Sequence, residues 1–185
     1  PPKVARMIVN IARGLIRKTG DSFKLNDPFC GMGTILAEAY MTSWIVSGSD
    51  TSEDAVLKAQ KNLVWLTGKY PNTGGEYIDI IVRDAVHVAD FIPKESVDAI
   101  VTEPFMGSTS IATRSVIDQV IIKNIIKGLE KLYIGCLREW TKILKPGGII
   151  LIALPAYAVA GREYFVKKVV DMCEIFGYTI EVGPI

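Results

Sequence analysis

Phe23-Lys24-Leu25-Asn26-Asp27-Pro28-Phe29-Cys30-Gly31-Met32-Gly33-Thr34-Ile35-Leu36 carries, in order, a short apolar run, a glycine-containing turn and the start of a helix near Ile35. A run of this kind, stopped by turn residues, reads as a buried strand, predicted here over Phe23 to Asn26. Glycine in the turn lets the backbone approach a ligand closely, because no Cβ stands in the way. Strand, glycine turn and helix in succession are the opening unit of a doubly wound α/β sheet, although Gly-x-Gly by itself also reads as a tight strand-to-helix connection.

The pattern repeats outward from that unit. Apolar runs at Trp44 to Ser49, Tyr77 to Val82, Val97 to Thr102 and Ile149 to Leu154 read as buried strands. Between them lie polar loops or segments of helical period. Upstream, Val4, Ile8, Ile11 and Leu15 predict an amphipathic helix ending near Gly20. After Asp50, Thr51 is the predicted cap of a helix with Asp54 in its first turn and Gly68 as its stop. A long helix is predicted from about Val116 to Leu144, then a Lys145-Pro146-Gly147-Gly148 turn, a helix over Arg162 to Phe176 and a last strand near Tyr178 to Val182. Alternation of this kind implies a mostly parallel, Rossmann-like sheet with helices on both faces.

Composition narrows the function classes. The chain has 185 residues, 49% of them hydrophobic, enough to bury one substantial core and to predict a single domain. Its apolar runs fall far short of the ~20 residues a membrane helix needs, and no signal peptide is evident, so the expected address is the cytoplasm. Cys30, Cys136 and Cys173 are far apart without a Cys-x-x-Cys pair, which predicts neither a disulfide framework nor a metal site. Lys plus Arg (21) nearly cancels Asp plus Glu (20), so a polynucleotide substrate would be gripped weakly by this domain alone. Position 1 is proline, which is expected of a processed chain or of a piece of a longer protein, in which a preceding segment could carry a substrate-binding module.

Ligands of open α/β sheets bind beyond the carboxyl ends of the strands, where strand order reverses. Here an acid follows each of the first four strands: Asp27, Asp50, Asp84 and Glu103. Each alone reads as a cap or a solvated loop residue, but together they line one rim. Asp50 follows the glycines at the distance of the acid that binds ribose hydroxyls in dinucleotide sites. A nicotinamide cofactor is disfavoured, because the third glycine of Gly-x-Gly-x-x-Gly falls on Leu36, and a Walker loop is excluded, because no Gly-Lys-Ser/Thr follows Gly33. The expected cofactor is a nucleoside without a demanding phosphate. His87 and Cys30 read as packing or surface residues, and Arg114, among Ser108, Thr109, Ser110 and Thr113, lies on a polar loop that either binds substrate or is simply solvated.

Asp27 to Leu36, followed by Glu38-Ala39, resembles the signature of RNA methyltransferases of the tRNA guanine-N2 type, whose catalytic domains often follow an RNA-binding THUMP domain. Pro2-Lys3-Val4-Ala5-Arg6 and Leu144-Lys145-Pro146-Gly147-Gly148 are similar to segments of class I methyltransferases, so the likeness covers nearly the whole chain. The resemblance implies S-adenosyl-L-methionine as cofactor. Asp27, Phe29, Gly31 and Gly33 would surround its methionine part, Asp50 with the adjoining Thr51 its ribose, and Asp84 with the Ala85 backbone its adenine. Glu103-Pro104-Phe105 would occupy the catalytic position, with RNA, in particular tRNA, as substrate and either an N-terminal RNA-binding domain or a partner subunit to deliver it. The family pattern Asp-Pro-Pro-Tyr-Gly is altered here to Thr102-Glu103-Pro104-Phe105-Met106-Gly107, which leaves two registers open. Phe105 supplies the stacking aromatic in one, and Met106 occupies the aromatic's place in the other. Relatives usually end in an antiparallel hairpin at the sheet edge, which the sequence to Ile185 does not show. Methylation of a DNA amine, a small molecule or a protein, and a cofactor-binding subunit without catalysis, are the alternatives.

Overall fold

A computed structural model describes residues 2–16, 22–107, 119–159 and 161–180. The chain divides into two compact units, Pro1–Pro104 with Lys142–Ala153, and Phe105–Thr141 with Leu154–Ile185.

The first unit is built on five strands: β1 (Phe23–Asp27), β2 (Trp44–Asp50), β3 (Glu76–Val82), β4 (Val97–Thr102) and β5 (Leu144–Ile152). They form one all-parallel sheet in the order β3-β2-β1-β4-β5. The order reverses between β1 and β4, where a doubly wound sheet opens its crevice. Three helices form a row against this sheet: α1 (Pro2–Leu15) against β4 and β5, α2 (Thr34–Tyr40) against β1 and β2, and α3 (Glu53–Lys69) against β2 and β3, with α2 touching both neighbours. Their apolar faces close on the strands around Leu25, Val46, Ala99, Leu36 and Leu63, all fully buried. Strand β4 is buried along its whole length, as a central parallel strand must be.

Three predicted details of this unit change. Leu144, predicted as the end of the long helix, opens β5 instead. The cap of α3 is Ser52, whose hydroxyl accepts from the Ala55 N–H; Thr51 lies one residue too early, and Gly68 sits inside the helix. Lys145-Pro146-Gly147-Gly148 is no turn ahead of a strand but an irregularity within β5: Val97 pairs with Leu144 and Ala99 with Ile149, so Lys145–Gly148 swells out opposite Asp98. The lysine ammonium reaches both carboxylate oxygens of buried Asp98, at 2.9 and 2.8 Å, and holds the swelling in place.

The second unit contains α4 (Gln119–Trp140), a hairpin of β6 (Ala156–Val159) and β7 (Arg162–Phe165), and α5 (Lys167–Cys173), which runs into a 3-10 turn at Glu174–Phe176. Ile122, Ile126, Leu129, Tyr133, Cys136 and Trp140 recur at three- and four-residue intervals on α4 and are buried, the face a long amphipathic helix needs. That helix packs on α5 and β7. The helix predicted over Arg162–Phe176 therefore starts only at Lys167. Val159 pairs with Arg162 across a turn in which Gly161 takes φ 73°, and the preceding residues become strand instead. Tyr178–Ile180 has no regular structure where a strand was predicted, and the remainder of that prediction lies outside the described residues. So do the end of the first helix near Gly20, the start of the long helix at Val116, and the loop bearing Ser108, Thr109, Ser110, Thr113 and Arg114. No helix among the described residues is long and apolar enough to cross a membrane.

Candidate active site

The tips of β1, β2 and β4 bring three of the four sequence-predicted acids to one place. Asp27 ends β1 with only 1% of its surface exposed. One carboxylate oxygen accepts the Thr102 hydroxyl at 2.7 Å and the Phe29 N–H at 3.1 Å, so the switch point between β1 and β4 is tied through this side chain. The other oxygen, Oδ2, is buried and has no hydrogen-bond partner. Burial pushes the Asp27 carboxyl up to about 7; the bonds from Thr102 and Phe29 pull it down, and the negative charges of Asp50 and Glu103 add to the rise. The Asp50 and Glu103 carboxylates thus both act on Asp27 within the first unit.

Asp50 fixes the glycine turn from the neighbouring strand. Its Oδ2 accepts the Gly31 N–H at 3.0 Å and its Oδ1 the Ser52 N–H at 2.9 Å, while the Cys30 N–H donates to the Ser49 carbonyl at 2.9 Å. Each oxygen keeps lone pairs beyond those bonds, so the held carboxylate can still accept hydroxyl donors. Gly31, at φ 51°, meets nothing where a Cβ would stand, and its backbone borders open space. Gly33, at φ 83°, is different: it starts α2 in the left-handed conformation, and a Cβ there would meet Leu63 Cδ2 at 3.0 Å. One glycine leaves room for a ligand and the other lets α2 approach α3. Asn62 on α3 completes the turn by donating to the Met32 carbonyl at 3.0 Å.

Asp84 stands at the third strand's end. The Arg83 N–H donates to the Asp50 carbonyl at 2.9 Å, which sets the β3 tip beside the β2 tip. The Asp84 side chain is exposed and accepts the Val86 N–H, capping a 3-10 turn over Ala85–Asp90 in which Ala85 is buried and His87 exposed. Thr51 is exposed beside Asp50. Glu103, half-buried, follows β4, and Pro104 is buried. In the second unit, Phe105 is 56% exposed, and its carbonyl accepts the Tyr133 hydroxyl.

Sequence reasoning missed four contributors. Thr102, fully buried, holds Asp27. Asn26 and Ser49 present the buried and unpartnered atoms Oδ1 and Oγ at the same strand ends. Gly48 lies under the glycine turn, where a Cβ would come within 2.8 Å of Leu36 Cδ1 and 3.0 Å of both the Asp27 carbonyl and Cys30 Cβ. A glycine inside an apolar strand is the signal for such a close approach, and it was legible at Gly48. Cys30 packs against this glycine, 5% exposed, and burial pushes its thiol far up, so it is an inert packing residue. A cavity of about 380 Å³ lies away from the acids, lined by Arg6, Asn10, Glu38, Met41 and Leu66 on α1, α2 and α3. Among the described residues no cluster of His, Cys, Asp or Glu could hold a metal ion.

Comparison with known proteins follows the same lines. The chain is 35% identical over 157 residues to a tRNA (guanine(10)-N2)-dimethyltransferase of Methanothermobacter thermautotrophicus, covering 84% of this chain and 38% of the relative. It is 32% identical over 110 residues to the Pyrococcus abyssi protein of that name, covering 60% of this chain and 29% of the relative. The chain therefore spans well under half the length of these curated relatives. No protein-family model matches. Among solved structures, a SAM-dependent methyltransferase from Leishmania major superposes with a TM-score of 0.57 at 12% identity, over 95% of this chain and 61% of the other. Geranyl diphosphate methyltransferase in complex with GPP and sinefungin gives 0.53 at 14%, over 95% and 52%. The fold is that of the Rossmann-like methyltransferases.

Proposed function

We propose that the chain is the catalytic domain of an S-adenosylmethionine-dependent methyltransferase acting on an exocyclic amine of a nucleobase in RNA, the N2 amine of a tRNA guanine. The observation that carries the reading is the buried Asp27, with one oxygen unpartnered, set against Asp50 and Glu103 beside the open face of Gly31. An orphaned buried carboxylate oxygen fits an ammonium group, the backbone at Gly31 fits a ligand in close contact, and Asp50 fits a diol. Asp27, Phe29, Gly31 and Gly33 hold the methionine part of the cofactor, Asp50 and Thr51 its ribose, and Asp84 with Ala85 its adenine. The names of the relatives support tRNA guanine as substrate. The nearly neutral chain supports delivery of the RNA by a separate RNA-binding module or partner subunit.

The cofactor supplies a methyl group on a positively charged sulfur, and the protein's task is to aim a poor nucleophile at it. The lone pair of a base amine is delocalised into the ring. Glu103 accepts a hydrogen bond from one amine N–H, and a backbone carbonyl of the Glu103-Pro104 segment takes the other, which turns the lone pair out of the ring plane. The same carboxylate stabilises the positive charge that develops on nitrogen and receives its proton. Phe105 stacks on the base once it has left its helix.

Labelled cofactor offered with tRNA, duplex DNA and cell extract in parallel tests the reading. Methyl transfer into tRNA guanine is expected. Glu103→Ala is expected to lower it by at least about a hundredfold while S-adenosylhomocysteine binds as before. Label appearing only in DNA or protein, or no binding of S-adenosylhomocysteine, would refute it.

A further inference from the structure

Phe105 and Met106 have no helix or strand to hold them, yet both of their carbonyls are taken by tyrosine hydroxyls of the second unit. Tyr133, fully buried on α4, donates to the Phe105 carbonyl at 2.6 Å. Tyr157, half-buried on β6, donates to the Met106 carbonyl. A loop in contact with water would leave these acceptors to solvent at little cost. Tyr133 instead carries a hydroxyl into the interior, and burying that group is unfavourable unless it makes its bond. A phenylalanine would fill the same space, so the hydroxyl itself has work at the Phe105 carbonyl.

The consequence is geometric. A carbonyl fixes the plane of its peptide unit, so two consecutive pinned carbonyls set the planes on both sides of Met106. The backbone is thereby held on the C-terminal side of the Phe105 Cα, and Gly107, at φ 91°, follows immediately. Phe105, a large apolar residue, is 56% exposed on this held backbone.

We infer that Tyr133 and Tyr157 are positioning residues for methyl transfer, clamping the Phe105 and Met106 carbonyls so that the Phe105 ring is presented as the stacking face for the nucleobase. This rests on the proposed function and assigns the aromatic role to Phe105 over Met106. Burial pushes both phenols above their ordinary range, so each stays a hydrogen-bond donor across neutral and mildly alkaline pH.

The test uses Tyr133→Phe, Tyr157→Phe and Phe105→Ala, alone and combined, with thermal unfolding as the control. Each tyrosine variant is expected to lower kcat on tRNA about tenfold with the Kd for S-adenosylhomocysteine unchanged, and to speed hydrogen exchange at Phe105–Gly107. In the Phe105→Ala background Tyr133→Phe should cost nothing further, because its effect passes through that ring. Unchanged exchange and kcat in both tyrosine variants would overturn the inference. So would full additivity with Phe105→Ala, or loss of S-adenosylhomocysteine binding in parallel with kcat. If the wild type methylates no RNA, the proposed function fails, and the exchange measurement still decides whether the clamp exists.

Discussion

Replacing Asp27 by Asn separates the cost of the buried carboxylate from its use. In the folded protein this carboxyl titrates at about 7, against 3.8 for an ordinary aspartate. Because the folded value is the higher one, its contribution favours folding fully below pH 3.8 and is lost as pH rises through about 7. At about 1.4 kcal/mol per pH unit, the ionised form is held at a penalty of roughly 4 kcal/mol. The substituted amide keeps an oxygen for the Thr102 and Phe29 donors and carries no charge. At pH 8 the variant is therefore expected to be more stable than the wild type by up to about 4 kcal/mol, on the order of 10 °C in Tm. Lowering the pH to 5 protonates the wild-type carboxyl and should shrink that advantage by nearly ~3 kcal/mol. The amide nitrogen needs an acceptor at the Oδ2 position, which trims the gain at every pH alike. Function should move the other way: S-adenosylhomocysteine binds at least about tenfold more weakly to the variant, and binds the wild type more tightly as pH rises from 6 to 8, with proton release. Urea unfolding at pH 5, 6, 7 and 8, with calorimetry in two buffers of different ionisation enthalpy, measures both. An advantage that does not change with pH, or a variant less stable at pH 8, would refute the reasoning.

Further substitutions probe the frame around the site. Gly48→Ala puts a methyl group against Leu36, the Asp27 carbonyl and Cys30, and should cost about 1–3 kcal/mol in urea unfolding while weakening S-adenosylhomocysteine binding. Lys145→Met removes the cation from buried Asp98 and is expected to cost about 2 kcal/mol, reduced because the lysine is one-third exposed; adding Asp98→Asn should recover part of the loss in a double-mutant cycle. Ser52→Ala should destabilise α3 by about 1 kcal/mol in thermal unfolding, whereas Thr51→Ala should leave Tm unchanged, since only Ser52 caps that helix.

Strand tips were the most legible feature. Val97–Thr102 was predicted to the residue because a β-branched and small run broken only by Asp98, and ended by an acid and a proline, allows little else. Asp27, Asp50 and Glu103 converge because parallel strands all end on one rim, so an acid after each strand is placed by topology alone. What failed depended on contacts between residues distant in sequence. Thr51 and Ser52 are equally good caps on paper; the choice falls to Ser52 because Asp50 accepts its N–H and turns the chain there. Arg162 to Phe176 has helical spacing throughout, and its first residues become strand only because Ala156–Val159 lies opposite to pair with them. Lys145–Gly148 reads as a turn until the buried charge of Asp98 is known. Thr102 gave no signal, since a threonine in a buried strand is ordinary until its hydroxyl is seen on Asp27.

At the outer border of the sheet, Val46 pairs with Tyr77 and Ser47 with Asp79, leaving Ile78 as an extra residue in β3. A straight border strand offers a continuous row of free amide and carbonyl groups on which another molecule's strand can grow. The extra residue breaks that row near its start and coils the strand, and Glu76 and Asp79 place negative charge on either side of the exposed Ile78. An unfolded segment arriving there finds no register to extend, so this border resists recruiting stray chains into a growing sheet during synthesis and heating.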